Sequence, residues 1–216
     1  MRYYMLNKPP CCLSAVRDGR DRTVLDLFPE EEREGLHPVG RLDRDTRGLL
    51  LITDDGMVDQ ALLLPERHAV KKYVFYAIGE MTDGKAKKLE EGVVISENGV
   101  VSRPAVFTLL ERMTVKDIED YIPEARRSRY LKNPDGPAFR GQLEICEGRK
   151  HQVKLMMRAV GTRVTYLKRT EIGGIKLDER LAEGEYRRLN AEEMKLLIGL
   201  ENEIRRKKLS LPAECQ

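Results

Sequence analysis

Gly40-Arg41-Leu42-Asp43-Arg44-Asp45-Thr46-Arg47-Gly48-Leu49-Leu50-Leu51-Ile52-Thr53-Asp54-Asp55-Gly56 runs from a charged loop into a short apolar stretch and stops at Asp-Asp-Gly. Leu49 to Ile52 is too short for a helix and is bounded by glycines, so it predicts a fully buried strand closed by a turn. Immediately upstream lie Asp43, Asp45 and three arginines. A carboxylate anchored on a core element is a reactive group held still. The plainest alternative is a surface loop of solvated charges. A third reading makes Asp43, Asp45, Asp54 and Asp55 ligands for a hard cation such as Mg²⁺, because oxygen ligands suit that ion. Three arginines competing for the same oxygens count against it.

The neighbouring segments predict a mixed α and β chain. Tyr3 to Lys8 reads as a strand ended by Asn7-Lys8-Pro9-Pro10, and Thr23-Val-Leu-Asp26 has capping-box spacing for a short helix. Lys71 to Gly79 is rich in aromatic and β-branched residues and reads as a central strand. Thr82 caps a helix that Gly92 ends. Val100 to Leu110 gives a further strand or two, with Pro104 marking an edge or a break. The basic run Arg126-Arg127-Ser128-Arg129-Tyr130-Leu131-Lys132 reads either as a mobile solvated loop or as a contact to RNA phosphates.

Gln142 to Cys146 is a strand that leads into Glu147-Gly148-Arg149-Lys150-His151-Gln152-Val153-Lys154. Val153, Met156, Met157 and Val160 fall at i, i+3, i+4 and i+7, one apolar face of a helix ended by Gly161. Lys150, Lys154 and Arg158 repeat along another stripe. Val164 to Leu167 is a strand, and Asn190-Ala191-Glu192-Glu193 opens a final helix with Arg205 to Lys208 in its last turn.

The 216 residues suffice for one large domain or two small lobes, and 39 basic against 36 acidic residues leave a net charge of only +3. That balance excludes neither an RNA nor a small-molecule substrate. No apolar run approaches the ~20 residues that span a bilayer, and Met1-Arg2-Tyr3-Tyr4 opens no signal-peptide core. Cys11, Cys12, Cys146 and Cys215 have no Cys-x-x-Cys spacing, and His37, His68 and His151 lie far apart. These spacings predict no zinc site and free thiols in a reducing cytoplasm.

Gly-Arg-Leu-Asp at 40–43, followed by Thr-x-Gly-Leu-Leu-Leu and Thr-Asp-Asp-Gly, resembles the signature of the RsuA/RluB/RluE/RluF family of pseudouridine synthases. Asn7-Lys8-Pro-Pro, Glu-Gly-Arg-x-x-Gln-Val-Lys, Leu-x-Arg-x-x-Ile-Gly and Gly184-Glu185-Tyr186-Arg187 extend it in one register from about Tyr4 to the final helix. Cys11 stands where that family usually has glycine. The resemblance implies an α+β pseudouridine synthase catalytic fold, with a mixed, mainly antiparallel central sheet, flanking helices and an active-site cleft. It covers 1–216 as one catalytic domain, divisible into lobes near 1–68 and 69–216. The small RNA-binding module that often precedes this domain in the family is expected to be absent.

By that resemblance Asp43 is the catalytic carboxylate, Tyr73 lines the site, and Lys154 is the basic partner of the aspartate. Leu167 packs under the aspartate. Arg41 occupies or braces the space that an extruded uridine vacates, and Arg44, Arg47, Arg149 and Lys150 contact the RNA. The implied isomerisation needs no cofactor and no metal. The implied partner is ribosomal RNA, 16S ahead of 23S because the motifs are most like those of the small-subunit branch, with pre-ribosomal particles as a further partner and a monomeric enzyme. The same chemistry on 23S rRNA or tRNA is the alternative, and a non-catalytic ribosome-assembly factor is the alternative of another class.

Overall fold

The computed structural model describes residues 1–57, 62 and 69–199, and these fall into two units, Met1–Val70 with Glu171–Gln216 and Lys71–Thr170. The first is built on β1, Tyr3–Lys8. Antiparallel β3, Arg47–Thr53, pairs along its whole length from Tyr3↔Thr53 to Lys8↔Gly48. Antiparallel β9, Tyr186–Arg188, takes the other edge from Tyr4↔Arg188 to Leu6↔Tyr186. The two-residue β2, His37–Pro38, lies on the far side of β3.

The apolar run is buried as its composition demands. Leu49, Leu50 and Ile52 are fully buried and Leu51 nearly so, each contributing up to ~1.5–3 kcal/mol on removal from water. Alternate side chains feed two layers. Met5, Leu49 and Leu51 pack with Val39, Ile172, Ile175 and Leu177. On the other face Tyr4 meets Phe28 edge-on at 5.4 Å, and Phe28 stacks on Tyr186 at 3.9 Å. Phe28 follows the 3-10 turn Val24–Leu27, where the predicted capping box closes between Thr23 and Asp26.

In the second unit β4, Lys71–Ile78, pairs antiparallel with β6, Pro137–Ile145, and β5, Val106–Thr114, takes the outer edge of β6. The strand order is β5-β6-β4-β7, with β7 spanning Arg163–Ile172. β7 runs further than Val164–Leu167 because its outward positions continue as polar Lys168 and Thr170 while Arg169 takes an inward one. The last two residues of β7 belong to the first unit, where they form a hairpin with β8, Ile175–Lys176. Gly173 and Gly174 turn that hairpin with φ of 56° and 84°, the left-handed pair a tight two-residue turn requires. Pro104 does interrupt the chain as expected, and β5 begins only at Val106.

Thr82 caps α1, Asp83–Glu91, by accepting from the Lys85 N–H. The basic run is no loop: Glu124–Tyr130 forms α2, started by Pro123. Pro123 fixes a backbone φ suited to a helix start, and Arg127 Nε donates to the Ile122 carbonyl at 3.2 Å. Val115, Ile118 and Ile122 bury this excursion against Ala138, Tyr76 and Ile78, and Tyr121 stacks on Tyr76 at 3.7 Å. Helix α3, Gln152–Ala159, and a helical stretch α4 at 191–199 lie further along the chain. Asn190 Oδ1 accepts from the N–H groups of Glu192 and Glu193, as its capping role predicts. Arg205 to Lys208 lie outside the described residues. No helix among the described residues is long and apolar enough to cross a membrane.

Gly141 sits mid-strand for a packing reason. Phe75, Phe107 and Phe139 crowd around it with ring centroids 6.0–6.5 Å apart, and a Cβ on Gly141 would stand 2.9 Å from Phe75 Cζ. Gly141→Ala should therefore destabilise the protein by ~1–3 kcal/mol through overpacking, read as a lower urea midpoint at unchanged slope.

Candidate active site

Asp43 is half-buried at the head of a turn whose Thr46 N–H donates to the Asp43 carbonyl at 3.0 Å. The turn is tied down from two directions. Ser14 Oγ both accepts from the Leu42 N–H and donates to the Leu42 carbonyl, each at 3.1 Å. Beneath the turn lies Lys8, the last residue of β1 and fully buried. Its ammonium donates to the carbonyls of Pro9 and Thr46 at 3.0 Å and of Asp43 and Arg44 at 3.3 Å. Three N–H bonds shared among four carbonyls hold the backbone of 43–46 against β1.

A buried ammonium is stable only when its charge is answered. Burial pushes Lys8 down to about 8, against the pull of Cys12, Asp45, Asp43 and Cys11 nearby, which favours the charged form. From sequence alone Lys8 reads as a strand terminator. Its signal is a cation closing a strand of which five of six residues are buried.

The arginines beside Asp43 divide. Arg41 is exposed, whereas Arg44 pairs with Asp21 at 2.8 Å and Arg47 with Glu183 at 2.6 Å. Such exposed pairs contribute at most about 1 kcal/mol, so a phosphate oxygen can displace either carboxylate. The other two candidate cation ligands have tasks elsewhere. Asp54 accepts from the Arg2 N–H at 2.6 Å and its guanidinium at 2.9 Å, and Asp55 accepts from Tyr3 Oη at 2.7 Å. Those bonds from Arg2 hold the Asp54 carboxyl below its usual range.

The second unit carries the remaining candidates. Tyr73 on β4 is 7% exposed, Leu167 on β7 is 5% exposed, and the two strands are neighbours. Tyr76 and Tyr166 meet on the opposite face at 5.8 Å, so alternation along each strand puts Tyr73 and Leu167 on one face. Lys71 and Arg169 share it, both buried. Burial first, and then the neighbouring Arg169, bring Lys71 down to about 8. This positive sheet face was not legible as such, because the aromatic and β-branched residues of Lys71 to Gly79 make it read as an apolar central strand.

Lys154 projects half-buried from the first turn of α3. A buried acid organises the approach to that helix. Glu147 accepts from the Arg103 N–H at 2.8 Å, from Gln152 Nε2 at 2.5 Å and from Arg149 Nε at 3.1 Å. Gln152 Oε1 in turn accepts from the Arg149 N–H at 2.9 Å. The Glu-Gly-Arg-x-x-Gln spacing is thus a closed hydrogen-bond ring across the turn, with His151 left-handed at φ 56°. Lys150 is exposed, as is most of Arg149. Burial raises the Glu147 carboxyl, but its three donors outweigh that and leave it below the usual range.

Comparison with known proteins bears on this geometry. Residues 2–159 match the family described as RNA pseudouridylate synthase. An uncharacterised RNA pseudouridine synthase of Bacillus subtilis, YtzG, is 40% identical over 196 residues, which are 90% of this chain and 72% of that protein. The ribosomal small subunit pseudouridine synthase A of Escherichia coli is 36% identical over 91% of this chain and 74% of its own length. Among solved structures, a pseudouridylate synthase crystal structure superposes with a TM-score of 0.74 at 32% identity, over 91% of this chain and 73% of that one.

Two outcomes follow from the anchors. Lys8→Met should lower kcat by roughly 10²-fold, the scale of a misplaced reacting group. Wild-type turnover should also fall above about pH 8 as Lys8 loses its proton, and the variant should lack that alkaline limb. The sign separates this from unfolding: a lysine pKa lowered on folding makes stability rise with pH between the folded and unfolded values. Glu147→Gln should cost ~1–3 kcal/mol in urea denaturation at neutral pH, since it disrupts a buried, satisfied acceptor. The depressed Glu147 pKa makes its stabilisation present above the unfolded value and lost as pH falls through the folded one. The variant's acid limb should be shallower than that of wild type.

Proposed function

Because the chain belongs to the RNA pseudouridylate synthase family and is an isomerase, we propose that it converts one specific uridine of ribosomal RNA to pseudouridine through Asp43, with 16S rRNA the substrate ahead of 23S. The observation that carries the role of Asp43 is its turn, fixed by Lys8 at the three carbonyls of Asp43, Arg44 and Thr46 and by Ser14 at Leu42. A carboxylate that must meet a ribose carbon within a fraction of an ångström gains from such a mount. The preference for 16S rests on the Escherichia coli relative, whose name assigns it to the small subunit.

The reaction breaks the bond from uracil N1 to ribose C1′, turns the ring and joins C5 to C1′. N1 ends with a proton and C5 loses one, so nothing need be supplied from outside. Asp43 either attacks C1′ to form a covalent adduct or removes a ribose proton to give a glycal. Lys154 serves as the charge partner that keeps the aspartate ionised in a desolvated site. Tyr73 stacks on the base and takes part in the late proton transfer, and Leu167, on the same sheet face, gives an apolar floor.

A uridine in structured RNA must first leave its stack, at a cost of a few kcal/mol. Exposed Arg41 fills the vacated space. Arg44 and Arg47 exchange their carboxylate partners for phosphates, and Arg149 and Lys150 extend the same contact. The enzyme acts as a monomer on ribosomal RNA or its precursor particles in the cytoplasm.

The test is pseudouridine mapping of total rRNA from cells with and without the gene. One site should vanish from 16S rRNA and return with the wild-type protein but not with Asp43→Asn, which should still fold and bind RNA. A site lost instead from 23S rRNA or tRNA overturns the 16S assignment, and full rescue by Asp43→Asn overturns the role of the aspartate.

A further inference from the structure

Behind the Asp43 turn the first unit holds a pocket of about 370 Å³, lined by Ser14, Ala15, Val16, His37, Pro38, Gly40 and Arg41. It is a shallow depression largely open to solvent, a form that suits one flat ring laid against it rather than an enclosed ligand. Both walls are built rather than draped. On one side, Leu13 forms a parallel bridge with Thr23, and Ser14 is latched to Leu42. On the other, His37 and Pro38 are β2, paired to Thr53 and Ile52 of β3. Gly40 turns the chain between pocket and Asp43 with φ at 72°.

The chemistry of the lining is specific. Ala15, Val16 and Pro38 give apolar surface, His37 and Arg41 give flat polar groups, and none of the seven residues is acidic. That is the composition that accepts an unstacked base, packed on aromatic and guanidinium planes with its phosphate near positive charge. The pocket is separate from the carboxylate but close to it. Arg41 and Asp43 are two residues apart, a span of at most about 7 Å, comparable to a single step along an extended nucleotide chain.

We propose that this pocket receives an unpaired base of the RNA adjacent to the target uridine, so that the enzyme reads a neighbour of the nucleotide it isomerises. The inference rests on the RNA-modification reading above and assigns to Val16, Ala15, His37 and Pro38 a part in choosing the site. Arg41 stands at the junction: its guanidinium fills the gap left by the uridine and closes one wall around the neighbouring base.

Val16 is 47% exposed, so Val16→Trp fills the pocket without disturbing the core, which an unchanged melting temperature verifies. The substrate is a synthetic fragment of the rRNA around the mapped uridine, used intact and with each flanking nucleotide in turn made abasic. Val16→Trp should raise KM at least tenfold on intact RNA, with the loss falling on KM more than on kcat. One abasic position should raise the wild-type KM to a similar degree, and the two changes together should do no more than either alone. If Val16→Trp keeps the wild-type KM, or if the two effects multiply at every flanking position, the pocket does not read the RNA although the enzyme does isomerise it. If the wild-type protein forms no pseudouridine in any rRNA, the functional reading falls first and this inference with it.

Discussion

A lysine ammonium with no exposed surface, ringed by four backbone carbonyls, is the constraint on which the first unit turns. Lys8 can be buried only because Pro9, Asp43, Arg44 and Thr46 aim their carbonyl oxygens at it. They can do so only because β1 and β3 are paired in a register that sets Lys8 opposite Gly48. A slip of one residue would turn the ammonium to the other face of the sheet and leave the carbonyls of Asp43, Arg44 and Thr46 unanswered. Charge burial therefore specifies register as well as position. Its positive charge also sits under a turn that carries Asp43 and Asp45, whose proximity favours the charged form of the lysine.

The second unit solves the same problem with the opposite charge. Glu147 is buried beside the turn that leads into α3, and it gathers an N–H from Arg103, an amide from Gln152 and a guanidinium from Arg149. Where Lys8 collects acceptors, Glu147 collects donors. In both places the residue proposed above for the chemistry lies on or just after a turn, Asp43 in one case and Lys154 in the other. The rigidity of that turn comes from a neighbouring buried ion with every bond made. An ion left partly satisfied would be costlier than an apolar substitute, which is why each is surrounded so completely.

Much of this was visible in the chain before folding, for physical reasons. Leu49 to Ile52 had no alternative to burial, Thr82 and Gly92 mark a helix by their side-chain and backbone preferences, and Val153 to Val160 repeat at helical period. Asp43 stood out because its neighbours do. The buried ions were hidden: a lysine ahead of Pro-Pro reads as the end of a strand, and its acceptors at Asp43 to Thr46 come 35 to 38 residues later. Arg44 and Arg47 read as free phosphate ligands because Asp21 and Glu183 are remote in sequence. α2 was hidden by its composition, since a run of arginines among turn residues has no apolar period to betray it. Arg169 concealed the length of β7 in the same way, a cation at an inward position.

The first unit is assembled from both ends of the chain, and this sets an order of events during synthesis. β1 and the Asp43 turn leave the ribosome early, but the free edge of β1 is closed by Tyr186 and its neighbours. The Lys8 end is clamped by the Asn7 N–H to the Glu185 carbonyl, the Gly184 N–H to the Asn7 carbonyl, and Asn7 Nδ2 to the Leu181 carbonyl. None of those partners exists until more than 170 further residues have been added. At ~5–20 residues per second, the mount of the aspartate is left open-edged for many seconds while Lys71–Thr170 emerges. A nascent chain of this protein therefore carries its whole Gly-Arg-Leu-Asp motif long before the sheet edge beside it is closed, which waits until β9 arrives.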